Sequence, residues 1–189
     1  MAKMRAPEIK TGMALEIDGD LFLVVEREHV TPGKGQALYH FLLRSLKTGS
    51  QKPLRMGSND TAEVAYLERK KCQYLYRDAH GYVFMDEQSY EQFPLHENLV
   101  GEQMGFIAEN SSADVTFHNE TPVSVDLPAS VTLEVIEAEE AVRGNTATNV
   151  TKNAKVETGL EVKVPMHIRV GDKIKISTVD KSFQGRVKD

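Results

Sequence analysis

Apolar positions in this chain come in short runs broken by turn-forming clusters. The runs cover residues 21–25, 37–43, 72–76, 82–85, 115–117, 131–136 and 173–179, and they are rich in β-branched and aromatic side chains. Between them stand Asp18-Gly19-Asp20, Pro32-Gly33-Lys34-Gly35, Thr48-Gly49-Ser50, Gly57-Ser58-Asn59-Asp60, Asp78-Ala79-His80-Gly81 and Asn119-Glu120. Short strands with turns at this spacing predict small β-barrels or sandwiches. Two stretches alternate with period two, which predicts one buried and one wet face. In 130–137, Val131, Leu133 and Val135 share a face, with Thr132 and Glu134 on the other. In 173–178, Ile174 and Ile176 oppose Lys173, Lys175 and Ser177. Helical periodicity is confined to 94–104, where Leu95, Leu99, Val100 and Met104 predict one short helix. Residues 137–141 read equally as a short acidic helix or a strand end.

The strand runs group into three blocks, 1–65, 66–128 and 129–189. Each is about 60 residues, a length that can just sustain a core of its own. A single β domain of 189 residues fits the same pattern. Hydrophobic content of 40% with 13 glycines places the chain in the globular range. The one cysteine, Cys72, excludes an internal disulfide framework. No apolar run approaches the ~20 residues of a membrane helix. The opening segment has no apolar core behind its charges, unlike a signal peptide. The expectation is a cytoplasmic protein without a membrane partner.

Formal net charge is −5, which excludes a uniformly basic nucleic-acid coat. The charge is uneven along the chain. Residues 1–65 hold 9 basic and 8 acidic side chains, 66–128 hold 4 and 11, and 129–189 hold 10 and 9. Acidity is therefore concentrated in the middle, leaving both ends able to offer local basic faces to a polyanion. Ordinary solvated surfaces account for the same distribution.

Enzymatic readings fail on spacing. A phosphate-binding loop around Gly33-Lys34 needs a glycine where Glu28 stands and Ser or Thr where Gly35 stands. The six histidines show no metal-ligand spacing. No G-x-S-x-G elbow occurs. The chain is expected not to be an enzyme, with no catalytic residue, no metal and no cofactor.

Two segments carry candidate chemistry. Pro32, Gly33, Lys34 and Gly35 lie between two runs that can pair as a hairpin. Pro32 stops the strand, and the glycines leave no bulk beside Lys34 and accept unusual φ values. This reads as a generic turn, or as a slim probe whose ammonium can donate three hydrogen bonds in a confined anionic space. The second segment, 152–172, reads as a turn, a strand, a proline break and a tight turn. Leu160, Val162 and Val164 make its buried face, with Glu161 and Lys163 outward. Its basic residues suit a sugar-phosphate backbone. It lacks the aromatic platforms of sequence-tolerant single-strand binders, so folded RNA fits better.

These residues resemble the bacterial elongation factor P family. The family pattern Lys-x-Ala-x4-Gly-x2-(aliphatic)-x-Val-Pro-x2-(aliphatic)-x2-Gly is met by Lys152, Ala154, Gly159, Val162, Val164, Pro165, Ile168 and Gly171. The Pro32–Ala37 tip and the Phe183-Gln184-Gly185-Arg186 ending agree with it. The resemblance implies an all-β, L-shaped molecule: an N-terminal SH3-like (KOW-type) barrel followed by two OB-fold barrels. It implies a monomeric, non-enzymatic factor that binds both ribosomal subunits between the P and E sites and contacts P-site peptidyl-tRNA. Such a factor stimulates peptide bond formation at consecutive prolines. Lys34 would face the peptidyl-transferase centre and would be the target of a lysine-modifying enzyme adding a β-lysyl or other amino-alkyl group. RNA-binding candidates are Arg143, Gly144, Asn145, Thr146, Lys152, Lys155, Phe183 and Arg186. The alternative is a general RNA-binding β-barrel protein without ribosome specificity. Three positions depart from the family: Asn145 replaces a usual Asp, Phe183 a usual Tyr, and Leu38 a usual aromatic.

Overall fold

The computed structural model describes residues 2–140 and 150–188. The first sheet comprises β1 (Ala2–Arg5), β2 (Ala14–Ile17), β3 (Asp20–Val30), β4 (Leu38–Ser45), β5 (Gln51–Gly57) and β6 (Thr61–Ala65), in the order β1-β6-β2-β3-β4-β5. A 3-10 turn, Ala6–Glu8, follows β1. Asp18 and Gly19, both at positive φ, join β2 to β3 as a two-residue hairpin loop. That loop matches the twist of its strands, and Asp-Gly is a favoured sequence for it. Ile9, Leu15, Phe22, Val24, Phe41, Leu43 and Val64 fill the core.

The second sheet comprises β7 (Glu68–Asp78), β8 (Gly81–Asp86), β9 (Gln92–Leu95), β10 (Ser112–His118) and β11 (Thr121–Asp126), in the order β11-β10-β7-β8-β9. The helix expected over 94–104 is reduced. Pro94 and Leu95 belong to β9, an edge strand, where a proline removes no ladder hydrogen bond. Only α1 (Glu97–Val100) and a 3-10 turn, Gln103–Phe106, are helical.

The third sheet comprises β12 (Ser130–Ala138), β13 (Thr151–Val156), β14 (Glu161–Pro165), β15 (Lys173–Ser177) and β16 (Phe183–Val187), in the order β14-β13-β12-β15-β16. The alternation read from sequence holds: Leu133, Val135, Val162, Val164, Ile174 and Ile176 are buried, while Glu134, Glu161, Lys163, Lys173 and Lys175 are exposed. Residues 137 and 138 continue β12 as strand. Ser177 differs from expectation. It is buried at the end of β15, where its hydroxyl accepts the Val179 N–H of the following turn. Leu160 is half-buried, because it precedes the strand.

The chain forms two compact units. One comprises the residues up to Lys70 together with Val115–Ser124; the other comprises Lys71–Asp114 together with the chain from Val125 onward. In the second unit the turn Gln103–Phe106 inserts Phe106 into the core of the third sheet, beside Leu133, Val135, Val156 and Ile168. The Thr158 hydroxyl donates to the Gly105 carbonyl at 2.6 Å and ties the same contact. No helix among the described residues is long and apolar enough to cross a membrane.

Candidate functional site

The hairpin β3–β4 ends at the pair Val30↔Leu38, and residues 31–37 connect the strands. Lys34 is exposed at the far end of this connection, between exposed Gly33 and Gly35, with Pro32 half-buried. Gly35 has φ +120°, which a side chain would strain; Gly33 does not need a positive φ, contrary to expectation. Among the described residues no side-chain hydrogen bond or ion pair reaches Lys34. Its ammonium is free to meet an outside acceptor.

A β-bulge between Val24 and Glu26 decides which charges line the stalk. Val24 faces the core. Plain alternation onward would set Glu26 and Glu28 against Phe41 and Tyr39. The extra residue Val25 instead pairs Arg27 with Phe41 and His29 with Tyr39. The His29 ring lies parallel to Tyr39, centroids 4.6 Å apart and planes 6° apart. The Arg27 guanidinium sits 5.2 Å from the centre of the Tyr39 ring and donates to the Pro7 carbonyl at 3.1 Å. On the opposite face, Glu28 Oε2 lies 3.9 Å from His40 Nδ1. Sequence reading did not single out Arg27, His29 or Tyr39. The two-residue spacing of Arg27 and His29 was visible, but the bulge that lays them on the Tyr39 ring was not.

The third sheet disperses part of its expected set. Arg143, Gly144, Asn145 and Thr146 lie outside the described residues. Lys152 is only 8% exposed and shares the inward face of β13 with Ala154 and Val156, opposite Val164. Lys155 is half-buried on the other face, opposite Glu161. Phe183 packs against the core, and exposed Arg186 lies 3.7 Å from Asp172. A second bulge, at the step Lys175/Ile176, pairs Phe183 with Ile176 and Arg186 with Ile174, so both share the face of those isoleucines. Glu139 accepts the backbone and side-chain N–H groups of Asn153, at 2.9 and 3.0 Å. Those bonds, and secondarily the Lys152 charge, hold its carboxyl below the usual carboxylate range.

The second unit also holds a cleft of about 660 Å³, lined by Tyr74, Arg77, Tyr82, Glu109, Glu157 and Lys181 among others, which sequence reading passed over. Burial, then the Glu109 charge, pushes the Tyr74 hydroxyl pKa up, and Arg77 opposes the shift. Among the described residues no group of three His, Cys, Asp or Glu side chains is placed to hold a metal ion.

Three domain descriptions match the chain in order: the elongation factor P KOW-like domain over residues 5–62, its OB domain over 67–125, and "Elongation factor P, C-terminal" over 131–186. Among curated relatives, an elongation factor P of Mycobacterium avium is 42% identical over 180 residues, 95% of this chain and 96% of that one. One of Caldicellulosiruptor saccharolyticus is 41% identical over 184 residues, 97% of this chain and all of its own length. Among solved structures, "Eukaryotic translation initiation factor 5A from Methanococcus jannaschii" superposes with a TM-score of 0.52 at 20% identity, covering 66% of this chain and 94% of that chain, a likeness of fold. With relatives above 40% identical along nearly its whole length, and the family's domains matched in sequence order, the chain belongs to the elongation factor P family of translation factors.

Proposed function

We propose that this translation factor binds the ribosome between the P and E sites, contacts the P-site peptidyl-tRNA, and speeds peptide bond formation at consecutive prolines. The observation that carries the reading is Lys34, exposed at the end of a narrow, glycine-flanked hairpin and without a protein partner among the described residues. Proline is a sterically restricted nucleophile. A cation placed beside the tRNA end can hold the reacting ester near its attack geometry, and such positioning alone can lower a barrier substantially. Lys34 acts here through its charge and three N–H donors, with no bond made to substrate. A β-lysyl or other amino-alkyl extension on Lys34 would lengthen its reach and add donors. In the third sheet, Lys155 and Arg186 are the described cations we assign to RNA.

The test is a reconstituted translation reaction on a template encoding consecutive prolines, with native-source and recombinant protein. Lys34→Ala is expected to keep the thermal midpoint and ribosome binding while losing at least about tenfold in stimulation, the scale of misplacing a reacting group. Unchanged synthesis would refute the tip mechanism. Intact-mass measurement of the native-source protein reads any adduct on Lys34. Competition of ribosome binding by free RNA would support the general RNA-binding alternative.

A further inference from the structure

The Lys34 loop does not orient itself. Among the described residues no side-chain hydrogen bond or ion pair reaches residues 31–36, and the nearest backbone tie is the Ser58 N–H donating to the Ala37 carbonyl at 3.2 Å. Lys34 lies four positions from each member of the last strand pair, a span of up to ~13 Å. A swing of ~10° at the base therefore moves the tip by ~2 Å, and a misplacement of ~1 Å can cost ~100-fold in a proximity-driven reaction. The direction of the loop has to be fixed where the chain leaves the sheet.

That exit carries a stack. His29, one residue before the last strand pair, lies flat on Tyr39 at 4.6 Å, and Arg27 sits over the same ring at 5.2 Å. Tyr39 is buried and packs on toward Phe41, so it is a fixed floor. Arg27 is held in turn by the Pro7 carbonyl. Both side chains are exposed, so their burial adds little to the core. The bulge at Val25 puts them there in place of two glutamates.

We propose that His29, supported by Arg27 on the Tyr39 ring, is a positioning residue that sets the direction in which Lys34 is presented. The inference rests on the reading of Lys34 given above. Its chemistry is ring stacking: a planar aromatic at position 29 does the work, and a positive charge alone does not.

The test uses the full chain carrying His29→Ala, His29→Phe or His29→Lys, beside Lys34→Ala. In the proline-stretch reaction, His29→Ala is expected to lower maximal stimulation about two- to tenfold, the worth of a stacked aromatic pair. The half-saturating concentration stays unchanged, and any fall in thermal midpoint is restored by His29→Phe. His29→Phe restores stimulation and His29→Lys does not. A nitroxide on Lys34→Cys, with Cys72 fully buried away from the reagent, is expected to gain mobility in His29→Ala and lose it again in His29→Phe. Wild-type stimulation by His29→Ala would overturn the proposal. So would rescue by Lys instead of Phe, which marks a charge contact with RNA, or a nitroxide spectrum indifferent to position 29. If Lys34→Ala stimulates like the parent, the reading of Lys34 falls, and the nitroxide spectra still decide the role of the stack.

Discussion

Replacing Phe106 with alanine tests the contact that ties the middle of the chain to the third sheet. Phe106 closes the turn Gln103–Phe106 and is 6% exposed among Leu133, Val135, Val156, Ile168 and their neighbours. Phe→Ala at a buried site costs about 3–5 kcal/mol, and the figure rises when the surroundings cannot collapse. They are held here. Thr158 bonds to the Gly105 carbonyl, and a Cβ built on Gly105 would lie 3.4 Å from Leu160 Cδ1. The expected cost is therefore near the middle of the range, about 4 kcal/mol. Because the chain holds two compact units, one global unfolding energy would blur the result. Amide hydrogen exchange resolves it by residue. The Val135 and Val156 amides, bonded to the Asp172 and Leu160 carbonyls, should exchange about 1,000-fold faster where exchange follows unfolding of their unit. The Val24 amide, bonded to the Met13 carbonyl in the other unit, should not change. Acceleration below about tenfold at Val135 and Val156, or equal acceleration at Val24, would refute the shared core.

Gly81 and Gly159 both have positive φ, but a Cβ on Gly81 would meet the Leu95 carbonyl oxygen at 2.4 Å, whereas one on Gly159 meets nothing within 4 Å. Gly81→Ala is expected to cost about 3 kcal/mol or more and Gly159→Ala about 1–2, compared by urea denaturation; equal costs would show that the backbone contact yields. Asn153→Ala keeps the backbone N–H bond to Glu139 and removes only the side-chain amide bond, so it should raise the Glu139 pKa part of the way toward an ordinary carboxylate, read by carbon-detected NMR titration. Since the folded-state value is depressed, the contribution of Glu139 is present above its unfolded pKa and lost as pH falls through the folded one; the variant should show a weaker acid-limb dependence, and an unchanged Glu139 titration would refute the side-chain bond.

Much of the strand content was legible because burial on one face forces alternation. Leu133 and Val135, Val162 and Val164, and Ile174 and Ile176 read as inward from the sequence and are buried in the fold. The Asp18-Gly19 turn was legible because few residues accept its φ values, whereas Glu120 takes a positive φ that its residue type does not announce. The 94–104 helix was misread because apolar spacing at three and four residues also fits an edge strand followed by two short turns. The exposed Lys34 tip was readable from the proline and glycines around it. The Tyr39 stack was not.

The chain's own residues, taken in order, specify strands, turns, a cationic tip and a family resemblance, since each depends on neighbours within a few positions. Which charges face which ring depends on pairing between distant strands. A one-residue bulge at Val25 exchanges Glu26 and Glu28 for Arg27 and His29 beneath the tip, and another brings Phe183 and Arg186 to one face. Side chains in a strand alternate with period two, so a single extra residue reverses every assignment beyond it. The partner strand sets where that residue falls.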